Sequence, residues 1–159
     1  MSVLQEYIVY KQTLLDATQG VLETAVADLM KKNVHESVVE NVYAAYEPTE
    51  YERRGDNYGL SDINCYRTTT EQDLTGVILR LENLAYGNAR YASWGRRPSQ
   101  GWDPGKITNL IETGKGYHWT GSKIYRSMPY PRPFMEAALE KTMTEAEPVL
   151  VSALKRAGF

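Results

Sequence analysis

Side chains able to do covalent or metal chemistry are few in this 159-residue chain, which holds two histidines, His35 and His118, and one cysteine, Cys65. The histidines are far apart, and no His-x-x-x-His, Cys-x-x-Cys or carboxylate–histidine cluster has the spacing a metal ion needs. Cys65, between Asn64 and Tyr66 in a strand-like stretch, reads as a small, buried, inert thiol. A Cys65–His118 pair stays open, since such partners are often distant in sequence, but nothing supplies the third group that would orient the imidazole. The run Gly101-Trp102-Asp103-Pro104-Gly105-Lys106 resembles a phosphate loop superficially. It lacks the four-residue spacing between glycines, and Ile107 stands where a metal-binding Ser or Thr belongs. The residues therefore predict a non-enzymatic protein with no catalytic, metal or cofactor site.

The remaining functional signal is aromatic and basic. Between 90 and 132, eight Lys and Arg face two acidic residues and are interleaved with Tyr91, Trp94, Trp102, Tyr117, Trp119, Tyr125 and Tyr130. Stacking planes beside cations suit single-stranded nucleic acid. Tyr, Trp and Arg are equally the residues enriched at protein interface hot spots. The formal net charge of −2 lacks the basic excess of a general nucleic-acid coat, which favours protein partners. Trp94, Arg96, Arg97, Trp102, Tyr117, Trp119 and Tyr125 are the candidate interface residues. Under the alternative, a single-strand-binding module using loops 90–132, oligonucleotide binding would fall steeply with salt. Charge is segregated: residues 1–50 carry −5, residues 51–134 carry +4 and residues 135–159 carry −1. Such segments suit contacts either within one molecule or between neighbouring copies.

The scaffold follows from periodicity. Residues 1–46 read as helical, with Leu4, Ile8, Leu15, Leu22, Val26 and Leu29 at three- and four-residue steps. Lys31-Lys32-Asn33 resembles a helix end, and forty continuous helical residues would span about 60 Å, so a bend near Asn33 is expected. Residues 47–62 read as a loop and 63–83 as a β-hairpin, with strands over 63–69 and 74–83 and a turn at 70–73. Residues 86–131 read as long loops enclosing a short helix at about 104–113, although 107–113 also suits a strand. Gly114 follows as its cap. Residues 133–157 form a last helix that Pro133 opens and Pro148 kinks or restarts. Length and composition fit a single α+β domain over 1–159: a long amino-terminal helix and a carboxy-terminal helix packed on a small antiparallel β-sheet. No apolar run is long enough for a membrane span, the first residues lack signal-peptide character, and a lone cysteine suits synthesis in a reducing cytoplasm.

Three stretches carry a likeness to a known family. Tyr46-Glu47-Pro48-Thr49-Glu50-Tyr51-Glu52-Arg53-Arg54-Gly55 follows the long helix. Leu110-Ile111-Glu112-Thr113-Gly114 forms an apolar–apolar–Glu–x–Gly element. Pro131-Arg132-Pro133-Phe134-Met135-Glu136-Ala137-Ala138-Leu139 opens the last helix with Arg-Pro-Phe. In this order, over about residues 20–159, the chain resembles the small tail-component (minor capsid, neck, tail-completion) family of tailed bacteriophages. The resemblance implies a structural virion protein at the head–tail junction, made in the bacterial host. Copies would assemble into a ring, with six-fold symmetry, between the portal–adaptor complex and the tail. Other neck, adaptor and tail proteins would be its partners, and genomic DNA would pass through without specific binding. Glu112, Gly114, Arg132, Pro133 and Phe134 are its structural motif, in which Pro133 sets the helix start, Phe134 anchors it and Arg132 holds the preceding loop through a carboxylate such as Glu112.

Overall fold

The structure, a computed structural model, describes residues 3–45, 55–85, 107–114 and 130–159. Helix α1 spans Val3–Val21 and α2 spans Ala27–Val38, joined by a π turn over Leu22–Val26 and followed by a second over Val39–Tyr43. After a 3₁₀ turn at Ile63–Cys65, strands β1 (Tyr66–Gln72) and β2 (Val77–Asn83) form an antiparallel pair. Helix α3 covers Ile107–Thr113 and α4 covers Phe134–Arg156. The fold is α+β, with long helices at both ends and a small two-stranded antiparallel sheet between them.

The amino-terminal helix does not end at Lys31-Lys32-Asn33. Its α geometry runs through Asn33, which is fully buried, and departs from regularity at the two π turns instead. Asn33 is an interhelical contact: its Nδ2 donates to Thr142 Oγ1 and to Glu145 Oε2, both at 3.2 Å, across to α4. The first π turn has a packing rationale. Buried Val21 and Val26 are five residues apart, one more than an α-helical ridge step, and the wider turn absorbs the extra residue.

Helix α4 lies antiparallel along α1 and α2. Lys141 pairs with Glu36, Thr142 meets Asn33, and at the far end the rings of Phe159 and Tyr10 stand 6.2 Å apart. The helix neither ends nor restarts at Pro148; it continues to Arg156. The hairpin crosses the other side of the long helix, with Thr70 donating to Glu23 and Gln72 Nε2 to Asp16 at 3.4 Å. Its burial alternates along β2, Val77, Leu79 and Leu81 half-buried and Ile78, Arg80 and Glu82 exposed, as the period-two pattern requires.

The hairpin turn sits three residues later than the expected 70–73. Asp73 Oδ1 accepts from the Thr75 amide (2.7 Å), the Thr75 hydroxyl (2.6 Å) and the Gly76 amide (3.0 Å), so Asp73-Leu74-Thr75-Gly76 closes the hairpin. Aspartate first and glycine fourth is the composition a type I turn favours. Residues 63–65, expected as strand, instead wind into the 3₁₀ turn capped by Asp62, whose Oδ1 accepts from Asn64 N at 2.9 Å. Residues 107–113 resolve the helix-or-strand choice as helix.

One core joins these pieces. Val34, Val38, Val42, Leu60, Cys65, Tyr66, Ala85, Phe134 and Ala138 are buried together, and Leu81, Ile107, Ile111 and Met135 pack against them. Phe134 is its largest fully buried side chain.

Candidate functional site

The two carboxy-terminal sequence motifs meet in one joint at the start of α4. Pro133 occupies the N-cap position and has no side-chain group able to satisfy the helix's free amides. Glu112, on α3, supplies the missing acceptors: its Oε2 takes the Met135 amide at 2.9 Å and its Oε1 the Glu136 amide at 3.0 Å. The Phe134 amide donates to the Arg132 carbonyl (2.8 Å) and the Ala137 amide to the Pro133 carbonyl (3.1 Å), so every amide of the first turn is accounted for. Negative charge at this end also complements the helix dipole.

Glu112 thus caps α4 through its carboxylate, a role different from the expected ion pair with Arg132. Arg132 joins the two motifs through its backbone, its amide donating to the Ile111 carbonyl at 2.9 Å. Gly114 completes the joint. Its φ of +63° suits the residue after a helix end, and a Cβ there would lie 2.8 Å from the Pro131 nitrogen. Phe134, next to this backbone contact, seats the joint in the core.

A second joint holds the other end of the sheet. Asn83 Nδ2 donates to the Leu60 carbonyl (2.9 Å), Asn83 Oδ1 accepts the Ala85 amide (3.0 Å), and Thr108 Oγ1 donates to the Asn83 carbonyl (3.1 Å). Ala85 and Ile107, the described residues flanking 86–106, therefore reach the same core, as Gly114 and Tyr130 on either side of 115–129 reach each other. Trp94, Arg96, Arg97, Trp102, Tyr117, Trp119 and Tyr125, with His118, lie outside the described residues.

The other reactive candidates have structural surroundings. His35 is half-buried on α2 and its Nδ1 donates to the Ser61 carbonyl at 2.8 Å. Cys65 is buried in the core, in the 3₁₀ turn rather than in a strand. Burial pushes the Tyr66 phenol well above its ordinary range, and its hydroxyl donates to the Leu60 carbonyl at 2.7 Å. Asp62 is held below its usual value chiefly by the Tyr58 amide, at 2.8 Å from Oδ2, and then by Asn64. Among the described residues, no three His, Cys, Asp or Glu side chains gather in a group that could hold a metal, and no helix is long and apolar enough to cross a membrane.

Among the described residues, the longest run of exposed apolar side chains is a feature that sequence reasoning missed. At the start of α1, Val3, Leu4, Tyr7, Ile8, Val9 and Tyr10 are 57–83% exposed. At 100° per residue, Tyr10, Val3, Tyr7, Leu4 and Ile8 cover an arc of about 160°. That arc continues the stripe buried farther along at Val21 and Val26, beyond the end of α4 at Arg156 and the contact of Phe159 with Tyr10. The sequence shows the stripe but not where its covering partner runs out.

Comparison with known proteins bears on ancestry. A family model described as YomN matches residues 2–157. The chain belongs to the YomN family. It is also 35% identical, over 131 residues, to the SPbeta prophage-derived uncharacterized protein YomN of Bacillus subtilis (strain 168), an alignment covering 82% of this chain and 74% of that protein. This YomN-family chain is thus phage-derived. No solved structure matches it significantly. The YomN match takes in both joints, the apolar start of α1 and the segments 86–106 and 115–129.

Proposed function

We propose that this protein is a structural virion component of a tailed bacteriophage, acting in head–tail joining or tail completion by assembly and without catalysis. In this reading copies form a ring, hexameric by the resemblance, between the portal–adaptor complex and the tail, and DNA passes through without specific contacts. The observation that carries it is the uncovered apolar start of α1 on a chain of phage descent. Val3, Leu4, Tyr7 and Ile8 share one helical arc and are each more than half exposed, the kind of apolar surface that another protein covers. The joint at Glu112, Gly114 and Phe134 supports the same reading, since it gives the segment bearing Tyr117, Trp119 and Tyr125 a rigid base.

Deleting the coding sequence from a phage genome that carries it, with complementation in trans, tests the proposal. The expected result is DNA-filled heads and separate tails by electron microscopy, restored to joined particles by the complementing copy. Joined, infectious particles at normal yield without the protein would overturn it. The purified protein separates the nucleic-acid alternative: no oligonucleotide binding at any salt concentration is expected, and steep salt-dependent binding would favour the alternative.

A further inference from the structure

Among the described residues the sheet has two strands, and one of its edges is complementary to itself. Two backbone bonds fix which groups point where: Asp73 N donates to Gly76 O at 3.0 Å, and Leu84 N donates to Cys65 O at 2.8 Å. Both belong to the register that pairs Tyr66 with Asn83 and Gln72 with Val77. Hydrogen-bonded pairs alternate in an antiparallel ladder, so Arg67, Thr69 and Glu71 turn their amides and carbonyls toward β2. Thr68, Thr70 and Gln72 turn theirs away. Among the described residues nothing bonds to those outward groups. The outer edge of β2 differs, because α3 closes its core end through Thr108 on the Asn83 carbonyl.

The exposed face of β1 reads Arg67, Thr69, Glu71. Placed antiparallel to a second copy of itself about a two-fold axis at Thr69, this row sets Arg67 against Glu71, Thr69 against Thr69 and Glu71 against Arg67. In the same register Thr68 faces Thr70 and Tyr66 faces Gln72, which brings the outward amides and carbonyls of both copies together. Opposite charges and paired threonines are favourable cross-strand neighbours. The charges also continue across each hairpin, where Arg67 already pairs with Glu82, and Arg80 with Glu71 at 3.2 Å. Each row of the joined sheet then alternates in sign, from Glu82 to Arg67 to the second copy's acidic residue and on to its arginine at position 80. Slipping by one residue would turn the charged row to the helix side.

We propose that two copies of this chain pair β1 to β1 across a two-fold axis at Thr69, forming a continuous four-stranded sheet. Burying an edge that is open among the described residues removes a template for promiscuous strand pairing. The pairing belongs to the free protein, because a polar ring is built from head-to-tail contacts and has no such two-fold axis, so the dimer opens on assembly. A monomer would leave the virion reading intact, and a dimer would not establish it.

The test is the mass of the purified full chain by analytical ultracentrifugation over a concentration series. The expected species is twice the 18.0 kDa protomer. Arg67→Glu and Glu71→Arg each replace two attractive cross-copy contacts with repulsive ones and should weaken the dimer about thirtyfold, or about 2 kcal/mol. Mixing the two variants restores both attractions and should recover a heterodimer. The two substituted side chains then face each other with opposite charge, and the native Glu71 of one copy faces the native Arg67 of the other. That recovery separates the interface from folding, since each chain keeps its own substitution. Hydrogen exchange should slow at the Thr68 and Thr70 amides as concentration rises. A monomer throughout the series, an oligomer indifferent to either variant, or a mixture that stays dissociated would each overturn the proposal. An edge taken instead by a strand of another phage protein would appear as a wild-type monomer and count against it.

Discussion

Glu112 reaches across 23 residues of sequence to accept the Met135 amide, because the residue at the cap position is a proline. Removing an N-cap acceptor typically costs about 0.5–2 kcal/mol. Glu112→Ala should therefore lower the midpoint of chemical denaturation by an amount of that order, with Glu112→Gln milder because one acceptor oxygen remains. Gly114→Ala meets both a positive φ and the Pro131 backbone, and should cost roughly 1–3 kcal/mol. A stability unchanged in both variants would remove the joint from the account. Carboxylates add a pH dependence. Asp62, held down first by the Tyr58 amide, and Asp73, held down first by the Thr75 hydroxyl, both titrate below the ordinary 3.8. Their stabilisation is complete above that ordinary value and is lost as pH falls through the lower folded-state values. Thermal midpoints should hold level from neutral pH to about 5 and drop steeply below about 4. Asp62→Asn should lower the plateau and flatten the acid limb.

At the scale of elements, Pro148 makes the sharpest prediction. It sits inside α4, where it cannot donate a hydrogen bond to the carbonyl one turn back. Pro148→Ala should raise stability by about 1–3 kcal/mol, measured by denaturant titration, since packing along α1 and α2 already keeps the helix continuous. A loss of stability would mean that the proline shapes the contact. The same residue shows what the sequence could and could not reveal. Helix and strand identity were legible from apolar spacing, and Gly114 and Pro133 marked real boundaries. Local rules failed where tertiary contact outweighed them. Asn33, flanked by lysines, has the look of a helix end, but its amide is used inside the interface with Thr142 and Glu145. The turn at Asp73-Leu74-Thr75-Gly76 was readable from its Asp and Gly, and the run Thr-Thr-Thr-Glu-Gln before it, although polar, extends the strand. The capping role of Glu112 was not readable, because a carboxylate distant in sequence from a helix start carries no local signal.

For the whole molecule, the arrangement is a long helix of about 60 Å from Val3 to Tyr43 carrying α4 on one side and the hairpin on another. The core and both backbone joints gather near its carboxy-terminal end, while the apolar start of α1 extends past α4 at the other. A chain that leaves Leu4, Tyr7 and Ile8 in water has to gain stability when that surface is covered. Replacing all three with Gln should leave the fold of the isolated protein intact by circular dichroism while reducing its incorporation into particles at least tenfold. The most direct measurement is the protein content of purified virions. The account predicts this chain in fixed multiple copies per particle, with antibody label at the junction of head and tail. Its absence from particles that are complete and infectious would contradict the central claim.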